Sequence, residues 1–161
     1  VGRLVWSSRE GTLDATAVAH FAAPSFLALR LVDPAGRSAA EIRTDGESIR
    51  VSRRDRRVYW EGAGREAVAA LAGIEATPAE WVAILRGRLD PPPDWTARRE
   101  GEGGCFPART DLSGGGSSLR IEWDSIEPWP EPIAELGPPP TGFERVDAPP
   151  LDRRGPDGEG P

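Results

Sequence analysis

Apolar and polar residues alternate along most of the first sixty positions, the mark of strands that bury one face. Residues 1–7 set Leu4 and Trp6 on a common face. Residues 12–21 set Leu13, Ala15, Ala17, Ala19 and Phe21 on one side and Thr12, Asp14, Thr16, Val18 and His20 on the other. Pro24 ends that strand, and residues 26–33 follow with Leu27, Leu29 and Leu31 aligned. Asp33-Pro34-Ala35-Gly36 predicts a type I turn, and Asp45-Gly46 a tight hairpin. Between these turns residues 37–44 align Ala40 with Ile42. Beyond them residues 48–52 bring Ile49 and Val51 against that strand. A turn over Arg53-Arg54-Asp55-Arg56 leads into residues 57–61, with Val58 and Trp60 in phase. The pattern predicts an antiparallel meander with one apolar face.

The period then changes. Residues 65–72 place Val68 and Leu71 three apart, with Gly73 as a helix C-cap. In the stretch "GIEATPAEWVAILRG", residues 73–87, Thr77-Pro78-Ala79-Glu80 fits a capping box with proline at the first helical position. Trp81, Val82, Ile84 and Leu85 form an apolar stripe, closed by Gly87. A helix of about ten residues is not stable alone, so it must dock, and the nearest apolar surface is the sheet. After Pro91-Pro92-Pro93, strands resume over residues 104–111. Past the turn Gly114-Gly115-Gly116 they continue over 118–123, where Leu119, Ile121 and Trp123 share a face. Residues 142–147, with Phe143 and Val146, suit a short final strand or packed segment. From Ala148 onward only Leu151 is bulky and apolar, so residues 148–161 are expected to form a disordered Pro/Gly-rich tail. The expected fold is mainly β (α+β): one domain over residues 1–147, a single curved antiparallel sheet covered by short helices.

Charge narrows the partners. All 20 basic residues are arginines, scattered among 26 acids for a net charge of -6. That dispersal argues against a nucleic-acid surface or an anionic-membrane patch. One cysteine, Cys105, allows no internal disulfide, and no set of metal ligands accompanies it. No metal and no cofactor are expected. No apolar run reaches membrane-spanning length. The chain opens at Val1 within a predicted strand, which suggests a trimmed piece whose targeting information lies upstream.

Catalytic constellations are weak. His20 is the sole histidine, and no G-x-S-x-G elbow exists to complete a triad. Glu122 and Asp124, near Glu127, read more readily as a solvated strand face than as an acid–base pair. Gly101-Glu102-Gly103-Gly104 and Gly114-Gly115-Gly116 precede no helix start, and the chain has no lysine, so they read as turns rather than phosphate cradles. Nothing in the sequence lowers the Cys105 pKa, and a small, partly buried hydrophobe is the expected role. The chain is therefore expected not to be an enzyme. Six tryptophans are spread along it: Trp6, Trp60 and Trp123 on strands, Trp81 on the capped helix, Trp95 and Trp129 in proline-rich connections. They fill a core, or they line a hydrophobic cavity left between a wide apolar face and helices too short to fill it.

The order of elements resembles the bacterial lipoprotein-localisation proteins LolA and LolB, and above all LolB-like outer-membrane lipoproteins. The resemblance is carried by Val58-Tyr59-Trp60-Glu61-Gly62, by the helix from Glu66 to the Gly73 cap, and by Thr77-Pro78 through Leu85-Arg86-Gly87. It extends over residues 1–147 as diffuse patterns. It implies a half-barrel with two or three short helices as a lid over an apolar cavity, binding lipoprotein acyl chains or other lipids without covalent chemistry. Leu27, Leu29, Leu31, Ile42, Ile121 and Trp123 would then line the cavity, with Trp81, Ile84 and Leu85 as the underside of the lid. The resemblance implies a monomeric periplasmic carrier, or an outer-membrane receptor anchored through a segment upstream of Val1. Its partners would be acylated lipoproteins or lipids and other envelope proteins. The alternative is a structural or interaction domain of the envelope with a filled core. Two features depart from the family. The turn Asp33-Pro34-Ala35-Gly36-Arg37 carries no bulky apolar residue to engage a membrane. The lipidated N-terminal cysteine and the helix before the first strand are missing.

Overall fold

The structure, a computed structural model, describes residues 1–9, 11–22, 25–32, 36–103, 106–125 and 136–151. Asp33, Pro34 and Ala35 of the first turn, Gly104, Cys105, Glu127, Pro128, Trp129 and the tail beyond Leu151 lie outside the described residues.

Period-two alternation produces β1 (Gly2–Ser8), β2 (Gly11–Ala22), β3 (Phe26–Val32), β4 (Ser38–Thr44), β5 (Ser48–Arg53) and β6 (Val58–Ala63). Helices α1 (Gly64–Ala72) and α2 (Pro78–Leu85) follow. The chain returns to the sheet with β7 (Trp95–Gly103), β8 (Phe106–Gly114), β9 (Ser117–Trp123) and the two-residue β10 (Glu144–Arg145). All ten strands join one open, curved sheet in the order β10-β6-β5-β4-β3-β2-β1-β9-β8-β7. Nine run as antiparallel neighbours, while β10 lies parallel to β6. The meander predicted for the first sixty residues is present, with Ile42 facing Val51 and Leu29 facing Ile42 across their strand pairs.

Three sequence expectations need correcting. Trp95 is not in a connection: it opens β7, a strand whose alternation is obscured by Arg98, Arg99, Glu100 and two glycines. Gly101-Glu102-Gly103 are likewise not a turn but the end of that strand, with Gly101 at a φ of 77°. Leu151, assigned to the tail from sequence, packs beside the core, as does Val146.

Register places Leu4, Trp6, Ala17, Leu29, Ile42, Val51, Trp60, Ile121 and Leu112 on one face, where α1 and α2 cover part of it and share its core. The main contacts of α1 fall on β5 and β6, and those of α2 on β3. From the helices come Val68, Leu71, Trp81, Val82, Ile84 and Leu85, all buried. The predicted capping box is formed: the Glu80 N–H donates to Thr77 Oγ1 at 3.2 Å, and the Thr77 N–H donates to Glu80 Oε2 at 2.7 Å. Arg65 ties the helices together by bonding the Glu75 carbonyl and the Glu80 carboxylate. The hairpin at Gly46 is the dock for α2, because the Ala79 N–H donates to its carbonyl at 3.1 Å. Gly46 holds a φ of 99°, and a Cβ there would strike Ser25, so only glycine fits this contact.

The C-terminal segment crosses the outer side of β5 and β6. The Arg50 guanidinium donates to the carbonyls of Leu136 (2.9 Å), Gly137 (3.0 Å) and Pro138 (3.1 Å), and to Glu61 Oε2 (2.8 Å). The N–H groups of Glu144 and Val146 then pair with the Arg57 and Tyr59 carbonyls along the β6 edge.

Two stability predictions follow from these joints. Thr77→Ala removes the cap of a short helix and should cost about 1 kcal/mol in denaturant unfolding. Arg50→Ala leaves three carbonyls without their charged donor and should cost about 2–3 kcal/mol. It should also speed hydrogen exchange at the Val146 amide far more than at β1 amides; equal protection at Val146 in both proteins would disprove the clasp.

Candidate functional site

The nine residues expected to line a binding space come together. Leu27, Leu29, Leu31, Ile42 and Ile121 lie on the helix-covered face, Trp81, Ile84 and Leu85 oppose them from α2, and all eight are buried in one cluster. Trp123 sits half-buried at its margin. Trp6, Trp60, Trp81 and Trp95 are buried as well, so most of the described indoles serve the interior.

Cover is uneven across this face. Where α1 and α2 lie over β3–β6, inner residues such as Leu27, Ile42, Ile49 and Val51 are fully buried. Toward β2, β1, β9 and β8 the inner face is mixed: Leu4, Trp6, Leu112, Leu119 and Ile121 are just as buried, but small residues lie among them. Ala15 and Ala19 on β2 and Ala97 on β7 are only half-buried, and Ala108 on β8 is exposed. Across β1 and β9, Gly2 faces Trp123; a Cβ on Gly2 would stand 2.9 Å from the indole, so the ring lies over bare backbone. Above this small-residue floor stands an aromatic group. The Phe21 ring lies 4.8 Å from that of Phe106 and meets Trp123 edge-on at 6.1 Å, and the Arg86 guanidinium lies 5.0 Å from the Phe106 centroid. Arg86 follows the last turn of α2, so the arginine joins the end of that helix to the aromatic group.

Buried polar groups mark the β7–β8 side. Arg99 and Thr110 are cross-strand partners, and Thr110 is 1% exposed. The Thr110 hydroxyl, Arg99 Nε and the indole N–H groups of Trp81 and Trp95 are buried with no hydrogen-bond partner. The sequence singled out the aliphatic lining but neither the alanine floor nor this polar set. The run Ala15, Ala17, Ala19 between Leu13 and Phe21 on one face of β2 was the legible signal for the floor. Arg99 and Thr110 gave none, because their pairing depends on the register of two strands without clear alternation.

The opposite face has different chemistry. A groove of about 610 Å³ runs over β1, β9, β8 and β7, lined by Ser7, Arg98, Arg109, Asp111, Ser118 and Arg120 among others. Its groups answer one another. Asp111 accepts from Arg109 Nε at 2.7 Å and Arg120 Nε at 2.6 Å, Ser7 meets Thr12 at 3.1 Å, and Thr96 meets Ser113 at 2.8 Å. Glu122, considered for acid–base work, lies 3.4 Å from Arg109 in the same ion-pair ladder. Burial raises the Asp111 pKa, but its bonds to Arg120 and Arg109 outweigh that and hold it below the ordinary value. Burial and then Arg30 push the His20 pKa down. Among the described residues no group of three or more metal-ligating side chains occurs, and no helix is long and apolar enough to cross a membrane. No protein-family model matches the chain, and no curated protein matches it either.

The ladder has a defined pH signature. A carboxylate with a lowered folded pKa adds stability above its unfolded pKa, and this is lost as pH falls through the folded value. Relative to Asp111→Asn, the native protein should therefore have a higher Tm at about pH 5 and above, the gap closing below about pH 4. A gap independent of pH down to acid unfolding would show that the carboxylate charge is not what matters.

Proposed function

We propose that the protein binds acyl chains or similar lipid-like ligands without covalent chemistry, in the manner of the LolA/LolB-like half-barrels that its sequence resembles. On this reading it acts in the bacterial cell envelope, as a periplasmic carrier or outer-membrane receptor. The observation that carries the reading is the uneven cover. Two short helices bury the β3–β6 half of the apolar face, while beyond them Ala19, next to Phe21 on the inner face of β2, is only half-buried near the Phe21, Phe106 and Trp123 rings, with the small Ala17 and Gly2 beside it. Small residues under aromatic walls leave width for an alkyl chain, and each methylene taken from water contributes about 0.8 kcal/mol. Leu85 and Ile84 would meet the chain from the lid.

A filled-core envelope domain is the second reading. It is favoured by the continuous burial of eight of the nine lining residues in one cluster. The two readings separate on ligand binding. The carrier reading expects copurifying lipid in native mass spectrometry and saturable quenching of tryptophan fluorescence by a fatty-acyl probe. Ala19→Trp, which fills the floor at a half-buried position, should weaken the probe at least tenfold, with circular dichroism unchanged. Leu85→Glu should abolish binding, and circular dichroism must show that the domain remains folded. Absence of saturable binding by the native chain would establish the filled core instead.

A further inference from the structure

On the acyl-binding reading, we propose that the interior also contains a polar anchor, in which Thr110 and Arg99 hold the carbonyl end of the ligand, a carboxylate or an ester. The argument starts from unmet hydrogen bonds. A buried donor without an acceptor is costly, and native interiors contain few of them. Here the Thr110 hydroxyl is 1% exposed and unpartnered, and Arg99 Nε is buried and unpartnered. The two residues are cross-strand partners on the inner face of β7 and β8, with Ile121 beside Thr110 on β9. Two distinct strands thus deliver adjacent orphan donors to one spot.

The rest of the Arg99 guanidinium is committed outward, Nη1 to Asp90 at 2.9 Å and Nη2 to the Leu89 carbonyl at 2.7 Å. These bonds fix the side chain and leave Nε as its inward donor. Arg99 is also roofed by the end of the lid: a Cβ on Gly87 would stand 3.3 Å from its Cδ. The anchor therefore lies where the segment after α2 meets β7 and β8, and Phe106 belongs to the same strand as Thr110.

The sign of the orphan groups selects the ligand chemistry. Arg99, Trp81 and Trp95 can only donate, and the Thr110 hydroxyl, which can donate or accept, can turn its proton to the same acceptor. The chain contains no asparagine or glutamine, so no side-chain amide carbonyl is available to receive them. A group that accepts without donating is the complement, which a carboxylate or an ester carbonyl supplies and an alcohol or amine does not. An alkyl chain ending in such a group would lie toward Phe106 and Trp123 with its carbonyl at the β7–β8 pair.

The test measures displacement of neutral N-phenyl-1-naphthylamine from the full chain by decanoate, methyl decanoate and decane. The anchor predicts that decanoate and its ester bind at least tenfold more tightly than decane. Thr110→Val should remove about tenfold of that preference while leaving decane unchanged. It should keep or raise Tm, because a methyl replaces an unsatisfied hydroxyl. Arg99→Met should weaken decanoate more than its ester if the bound group is ionised, and both alike if it is an ester carbonyl. Equal affinity for all three ligands, unchanged in Thr110→Val, would overturn the anchor and leave acyl binding standing. Failure of all three and of the dye to bind would overturn acyl binding itself.

Discussion

A mismatch of area governs this fold. Ten strands set about 4.8 Å apart would span about 43 Å if flat. Helices of eight and nine residues are about 13 Å long and about 10 Å wide. Side by side they shield a minor part of such a face, and the remaining apolar surface can leave water only if the sheet bends around them. The contacts follow that bend. The helices rest on β3, β5 and β6, while Trp95 of β7 reaches Gly73 at the end of α1, and Pro107 of β8 reaches Gly87 after α2. Strands far apart in sheet order thus close on the same two helices. The half-open alanine floor lies where the cover runs out.

The two faces obey opposite rules of polar matching. Outside, arginine and acid pair across strands (Arg3 with Asp14, Arg109 with Glu122, Arg120 with Asp111) and along them (Arg109 with Asp111, Arg98 with Glu100). Most of these pairs are exposed and each adds little, but together they match the charges of the outer surface to one another. Inside, the unmatched groups are mostly N–H donors, joined by one hydroxyl that can donate with them. A groove whose groups already satisfy one another offers a ligand little; an interior with unmet donors gains by taking one up.

Legibility in the sequence followed local physics. Thr77, Pro78 and Glu80 encode a cap that depends only on neighbours, and both of its hydrogen bonds are present. Leu27, Leu29, Leu31 and Ile42 announced a shared face because alternation and tight turns fix register over short distances. What depended on distant pairing was hidden. Trp95 opens a strand that proline and charge disguised, and its neighbour β8 was read without its partner. The joining of β1 to β9 closes a span of over a hundred residues that no turn signal encodes. The Arg50 clasp is equally remote, since the carbonyls it binds lie 86 to 88 positions away. Arg99 and Thr110 acquire meaning only when β7 and β8 are in register, so a search for motifs passes over both.

The sheet's edges bear on how the interior opens. An open sheet presents two rows of unpaired backbone groups, and each must be covered or made unattractive to other strands. At β6 the cover is β10, held by Arg50 and by the Glu144 and Val146 amides. At β7 the edge carries Arg98, Arg99 and Glu100 and bends at Gly101, which discourages pairing. With β6 already occupied by β10, the two ends of the sheet do not zip into a closed barrel. The helices therefore remain the cover between them, held by one hairpin carbonyl, the Arg65 bonds to Glu75 and Glu80, and apolar contact instead of a strand ladder. A filled core and an acyl-binding interior would share this sheet unchanged; they differ in what lies against Trp81, Ile84 and Leu85, and the unmet donors beside Gly87 weigh toward a ligand.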